Sequence, residues 1–238
     1  MTQEADDLLA EAALHSGNAA ALLALTDETA AKAYFAAYWN HLDQGGDKRI
    51  LEVGRSGGLS GPDLLDLWQA GTSKLATALR GTDPARRVPW AGQTMSARSL
   101  ASARLMETWA HGQEVFDEFG VARHETDGIR AIMVLGVNTY DWSFRVNGLP
   151  VPTPRPALRL VAPSGAHWDF GEAGGETITG SAVEFCQVVA QTRNILDTGL
   201  QVNGVNATRW MALAQCFAGP PRTPPPAGTR FRKAPAGN

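Results

Sequence analysis

The sequence predicts an α-helical bundle followed by a small α+β domain. Three observations carry this reading. Through about residue 145, apolar residues recur at helical spacing in alanine- and leucine-rich stretches. Prolines at 150, 152, 154 and 156 then form a stiff, extended linker. Short runs of strand-forming residues follow, separated by turn residues. The expected domains are a bundle over 1–148, an α+β domain over 149–221 and a disordered, proline-rich tail over 222–238.

The elements follow in order. Residues 5–43 read as helix, interrupted near Gly17 and at Thr26-Asp27, either of which can cap a second helix through Tyr34 and Trp39. Glycines at 45, 46, 54, 57 and 58 mark a loop. Ser60 is an N-cap with Pro62 just inside a helix through Leu79. Gly81–Gln93, with two prolines and Trp90, is a connection. Ser96 opens a long helix ending near Phe119-Gly120, a glycine C-cap. A further helix is expected over 127–145. Beyond the linker, Leu158–Ala162 and His167–Phe170 read as strands around a Ser164-Gly165 turn, and Thr177–Thr179 as a third. A helix from Ser181 to Asn194, a strand at Leu200–Val202 and a helix over Asn206–Phe217 complete the pattern. No repeat of 20–50 residues is present.

Composition excludes several classes. The chain has 238 residues, 44% hydrophobic and 19% charged, with a net charge of −3. No basic patch supports nucleic-acid binding. No apolar run approaches the roughly 20 residues that span a bilayer, and no signal peptide is visible. Cys186 and Cys216 lie in apolar helical patterns, as reduced thiols of a cytoplasmic protein do. GRSGGLSG at 54–61 lacks the lysine and preceding strand of a phosphate loop. There is no G-x-S-x-G elbow and no CxxC pair.

The segment METWAHGQ, Met106–Gln113, is the strongest chemical signal. It places Glu107 four residues before His111 on one helix face, where one cation can touch both. Zinc accepts such an oxygen-plus-nitrogen pair, and an open site adds a third protein ligand and a water. Periodicity puts Ala101, Leu105, Trp109, Gly112, Phe116 and Phe119 on an apolar arc. Glu107 and His111 fall on the other side with Leu100, Glu114 and Glu118. On its own, that pattern also fits a solvated Glu-His pair. His41, His124 and His167 read as a helix-end, a loop and a strand-face histidine. Arg104 lies near the Glu107 face, where it can steer an anion. Arg193 closes the Ser181–Asn194 helix, where its charge favours the helix dipole.

Three strings, ALLALTD (21–27), RVPWAGQTMSARSLASARLMETWAHGQ (87–113) and the stretch from Gly180 to FAGPP (217–221), together resemble the DinB-like proteins related to mycothiol-dependent maleylpyruvate isomerase. The closer likeness is to an uncharacterised branch of that family described as metal-binding. The resemblance implies a four-helix bundle with a metal site, here lacking the family's first helix, followed by a sterol-carrier-like domain. It implies a metal held by Glu107, His111 and a histidine on an earlier helix. Ala13 stands at that histidine's place, and His15, two residues on, is the candidate third ligand. It further implies a thiol transferase or isomerase using a low-molecular-weight thiol, mycothiol among them, on a small acidic metabolite. Arg193 is its candidate catalytic residue, meeting the acid through two parallel hydrogen bonds. The alternative is a metal-free homologue that binds a small molecule between the domains. A missing bundle helix would expose an apolar groove and favour a homodimer.

Overall fold

The computed structural model describes residues 17–46, 59, 61–91, 93–172 and 174–230. It has a helical N-terminal region followed by a small sheet with helices. The chain divides into two compact units, 1–104 and 105–238.

In the first unit, residues 17–26 are helical (α1). Helix α2, Glu28–Asp43, starts at the N-cap Asp27, whose Oδ1 accepts the Ala30 N–H at 2.9 Å. Glu28 sits in its first turn, where a negative charge suits the helix dipole, and pairs with Lys32 at 2.6 Å. Helix α3 spans Gly61–Arg80. The expected connection before residue 93 is instead a hairpin, β1 Arg87–Trp90 paired antiparallel with β2 Gln93–Ser96. Its register pairs Trp90 with Gln93, so the turn is two residues long, with Ala91 at φ 47°. Sequence periodicity misses it because Val88 and Trp90 are separated by a proline and the strands are four residues long. Helix α4, Ala97–Glu118, follows directly, with the Ser96 hydroxyl accepting the Ser99 N–H at 3.1 Å. This unit's core joins Ala21, Ala24 and Leu25 of α1 to Ala31, Leu75, Val88, Ala97 and Leu100.

The second unit begins inside α4. The helix ends at Glu118, and Gly120 at φ 61° lets the Val121 N–H reach the Phe116 carbonyl at 3.0 Å. The expected 127–145 helix is three pieces: a 3-10 turn at Asp127–Ile129, α5 Arg130–Asn138 and α6 Tyr140–Arg145. The break lies at Thr139, whose hydroxyl bonds the Leu135 and Gly136 carbonyls. A four-stranded sheet has the order β4-β3-β5-β6: β3 Ala157–Val161, β4 His167–Phe170, β5 Thr177–Ser181 and β6 Gln201–Asn203. β3 pairs antiparallel with β4 and parallel with β5. The chain therefore crosses the start of β3 on its way from β4 to β5. Gly171, at φ 75°, makes that crossing possible, since a Cβ there would lie 3.2 Å from the Ala157 Cα.

Helix α7 covers Ala182–Val189 and α8 Val205–Leu213. Gly136 lets α5 approach α7, since a Cβ on it would meet Val189 Cγ2 at 2.8 Å. The core joins Ile132, Met133, Tyr140 and Phe144 to Leu158, Leu160, Ile178, Phe185 and Trp210. Leu149 and Val151 of the proline-rich linker pack against it. The expected boundary at 148/149 thus falls inside the second unit, because the helices before the linker supply the apolar face that the sheet needs. The stretch expected as a disordered tail over 222–238 is described to Arg230, and its backbone is bonded by Gln215, Gln191, Asn194 and Asp197. Among the described residues, no helix is long and apolar enough to cross a membrane.

Candidate active site

The geometry of α4 decides what its polar residues can do. Its buried positions are Ala97, Leu100, Arg104, Met106, Trp109 and Gln113. The expected apolar arc is rotated: Leu105 is 42% and Phe119 70% exposed, whereas Leu100 is fully buried. Two polar residues, Arg104 and Gln113, occupy inward positions, and a pattern counting only apolar residues is phased wrongly by them. Arg104, read as an anion-steering residue, is buried. Its guanidinium lies where a Cβ on Gly17 would be, and its Nε donates to Asn18 Oδ1 at 3.3 Å. Asn18 in turn donates to Thr72 Oγ1 at 2.9 Å.

Glu107, His111 and Glu114 form a row at i, i+4 and i+7. Their side chains are 38%, 32% and 37% exposed, so the row is reachable from solvent while its stems are packed. His111 Nε2 lies 3.7 Å from Glu107 Oε2, and His111 Nδ1 lies 3.2 Å from Glu114 Oε2. Burial pushes the Glu114 carboxyl up, but the hydrogen bond and charge of His111, with the charge of Arg230, outweigh it and hold it below the usual carboxylate range. Glu114 is therefore a carboxylate, an acceptor only, so the Nδ1 of His111 must carry the proton of that bond. Its Nε2 then faces Glu107. Arg230 Nη1 donates to the other Glu114 oxygen at 2.9 Å.

This arrangement suits a cation in one respect and leaves another to the rest of the chain. Neighbouring donors on a tetrahedral zinc, with bonds near 2.0–2.1 Å, stand roughly 3.3 Å apart. The 3.7 Å separation of Nε2 and Oε2 is close to that. A ligating histidine commonly gives its other N–H to a carboxylate, as His111 gives Nδ1–H to Glu114. Among the described residues, however, no group of three or more His, Cys, Asp or Glu side chains converges as a metal cage. His15, the expected third ligand, lies outside the described residues.

Arg193 is not at a helix end. Helix α7 stops at Val189, Gln191 takes φ 57°, and the Thr192 N–H returns to the Gln187 carbonyl at 2.9 Å. The sequence offers no glycine there, so the stop is invisible to it. Arg193 lies four residues beyond the helix and is 5% exposed. Both its terminal nitrogens hold the two carboxylate oxygens of Asp117 on α4. Asp117 also accepts from Gln113 Nε2 at 2.9 Å. To meet a substrate, Arg193 would have to leave Asp117.

Nearby, Arg123 lies over the rings of Trp109 and Phe116, at 5.4 and 5.5 Å from their centroids, and bonds the Trp109 carbonyl. The Trp109 indole donates to Glu125 at 2.9 Å. Trp109 is thus a packing residue. Cys186 and Cys216 are both buried as free thiols. Burial pushes both above the usual thiol range, with Cys216 raised further by the charge of Glu107. Neither is a nucleophile in the folded chain. Helical periodicity puts Glu114 on the face of Glu107 and His111 without giving it a role, and the expectation of a disordered tail over 222–238 gives none to Arg230. The i, i+4, i+7 spacing of Glu107, His111 and Glu114 is the signal that marks the first. Nothing local marks Arg230.

Two curated relatives match the chain, both uncharacterized proteins of Mycobacterium tuberculosis, one in each of two strains. Each is 42% identical over 164 residues, which are 68% of this chain and 64% of the relative. The chain thus spans just under two thirds of the length of the relatives it matches. No solved structure matches. Residues 5–116, the stretch holding His15, Glu107, His111 and Glu114, match the family model of the mycothiol maleylpyruvate isomerase N-terminal domain.

Proposed function

We propose that the protein is a thiol transferase or isomerase acting on a small, acidic metabolite with a low-molecular-weight thiol such as mycothiol. The observation that carries this is the posture of His111: Nδ1 tied to Glu114 and Nε2 turned to Glu107, inside the matched family region. In this reading Glu107 and His111 are two protein ligands of a divalent cation, zinc by donor type, and His15 is the third. Such a cation, when bound, favours the thiolate over the thiol and so supplies a nucleophile at neutral pH. The chain's own residues do the rest. Glu114 fixes the ring of His111, and Arg230 fixes Glu114. The thiolate adds to a double bond conjugated with the substrate's carboxylate. Rotation follows about the new single bond, and the thiolate leaves to restore the double bond in its other geometry. In a transferase the adduct is kept. The proposal includes a sterol-carrier-like character for the C-terminal sheet and Arg193 as a residue for the substrate's acidic end, the latter at the cost of its bond to Asp117.

A second reading is metal-free. His111 has a carboxylate at each ring nitrogen, which is also an acid–base arrangement for a small-molecule site. Metal content by mass spectrometry separates the two, on untagged protein prepared without chelator. Wild type is expected to hold about one equivalent of zinc, absent from a Glu107→Gln/His111→Ala variant. Thiol-transfer assays on both then follow. Metal content and activity that survive the double substitution would overturn the first reading.

A further inference from the structure

Beyond α8 the chain runs as a strap along its own unit. The Cys216 N–H bonds the Val189 carbonyl at 2.9 Å, and the Trp142 indole bonds the Phe217 carbonyl at 3.0 Å. The buried Gln215 side chain holds the backbone at three places: it accepts from the Arg222 N–H and donates to the carbonyls of Phe217 and Pro220. Gln191, also buried, donates to the carbonyls of Ala214 and Arg222, both at 3.0 Å. Further on, Asn194 donates to the Pro225 carbonyl at 2.9 Å, and Asp197 accepts the Gly228 N–H at 2.8 Å. Prolines at 220, 221, 224, 225 and 226 fix φ, lack an N–H and offer only carbonyls to these amides. The segment is thus ordered by side chains placed for it rather than by secondary structure. Its last described residue, Arg230, donates to Glu114 at 2.9 Å.

We propose that this C-terminal strap is a positioning element of the His111 site: Arg230 holds Glu114 Oε1, Glu114 Oε2 holds His111 Nδ1–H, and the Nε2 lone pair is thereby presented beside Glu107. The two oxygens of Glu114 have separate tasks, one for the strap and one for the ring. Without Arg230 the carboxylate can rotate, and the imidazole loses the partner that selects its tautomer. Arg230 is a positioning residue, acting through Glu114. The relay deepens the proposed function by naming what orients its histidine, and it applies equally to the metal-free reading.

The test is long-range proton–nitrogen NMR of the imidazole of the full-length protein, with the His111 signals assigned by their loss in His111→Asn. Above the pH at which the ring loses its charge, wild type should show a protonated Nδ1 and an unprotonated Nε2. Arg230→Ala and Glu114→Gln should each move both nitrogens toward the averaged position of mixed tautomers, and Arg230→Lys should restore most of the wild-type pattern. A second readout is zinc affinity by competition with a chromogenic chelator. There Arg230→Ala should weaken binding about 10-fold, the low end for loss of an outer partner of a metal-bound histidine. Circular dichroism checks that each variant is folded; Arg230→Gln serves if Arg230→Ala is not. An unchanged His111 spectrum in folded Arg230→Ala and Glu114→Gln overturns the relay. A protein that binds no zinc but shows the expected tautomer shifts sinks the metal reading and leaves the relay standing.

Discussion

Asp117→Ala should be the most damaging single substitution in the neighbourhood of the site. Arg193 and Asp117 are 6% and 15% exposed at their side chains and share two parallel contacts, so each is desolvated and satisfied by the other. Gln113 completes one carboxylate oxygen, and the Thr192 carbonyl takes one guanidinium nitrogen. Removing Asp117 leaves a permanently charged guanidinium in a buried place without the carboxylate that it meets through both terminal nitrogens. Breaking a buried pair in this way costs about 3–5 kcal/mol. In a chain of this size, about 2–4 °C of melting temperature is lost per kcal/mol, so a drop of about 6–20 °C is expected. Arg193→Met together with Asp117→Leu should recover most of it, because an apolar pair of similar volume avoids the desolvation. The assay is urea unfolding by circular dichroism and tryptophan fluorescence on wild type, both single variants and the double, read as a double-mutant cycle. A loss below about 1 kcal/mol for Asp117→Ala would refute the reasoning. It would also mean that Arg193 is only loosely held and can turn to a substrate carboxylate.

Two further outcomes follow from the ionisable groups. Cys186 and Cys216 should resist a disulfide reagent such as dithionitrobenzoate in native buffer at pH 8 and both react in denaturant; fast labelling of either in the native state would contradict their burial. Because folding raises both thiol pKa values, their contribution to stability is complete below the unfolded thiol value of about 8.5 and declines as pH rises above it, which a urea midpoint lower at pH 10 than at pH 8 would register. Folding lowers Glu114, so its contribution is complete above the unfolded carboxyl value of about 4.3 and is lost as pH falls toward the folded value. Glu114→Gln should accordingly flatten the acid limb of the stability profile, and an unchanged limb would count against the ion pairing of Glu114 with His111 and Arg230.

The sequence was most legible where one local rule dominates. Asp27 caps α2, Ser96 opens α4 and Gly120 closes it, each by a hydrogen bond that needs only neighbouring residues. The strands at 157–161, 167–170 and 177–181 were legible because β-forming residues lie between glycines and a proline. Legibility failed where partners distant in sequence decide. The stop of α7 uses a glutamine at positive φ, held by its contacts with Ala214 and Arg222. The phase of α4 depends on Arg104 and Gln113 facing inward, which pays off only because Asn18 and Asp117 meet them. The prolines at 150–156 read as a linker between cores, yet one core lies on both sides of them. Tyr140, before the linker, donates its hydroxyl to the Pro152 carbonyl within it.

The site shows the same division. A helix fixes which residues share a face, so spacing alone puts Glu107 and His111 together, and Glu114 with them. What a helix cannot specify is which ring nitrogen of His111 carries the proton. That depends on a carboxylate one turn on, and the carboxylate depends on an arginine 116 residues away. A proline-rich, basic C-terminus has the composition of a solubilising tail. Its side-chain anchors, Gln191, Asn194, Asp197 and Gln215, sit in earlier segments where each reads as an ordinary polar residue. Arg193 and Arg230 illustrate the consequence. The arginine in the domain where a substrate contact was expected is buried against Asp117, while the one in the tail reaches the row of polar side chains on α4. Burial and partner, rather than position in the chain, separate a packing charge from one that orders a site.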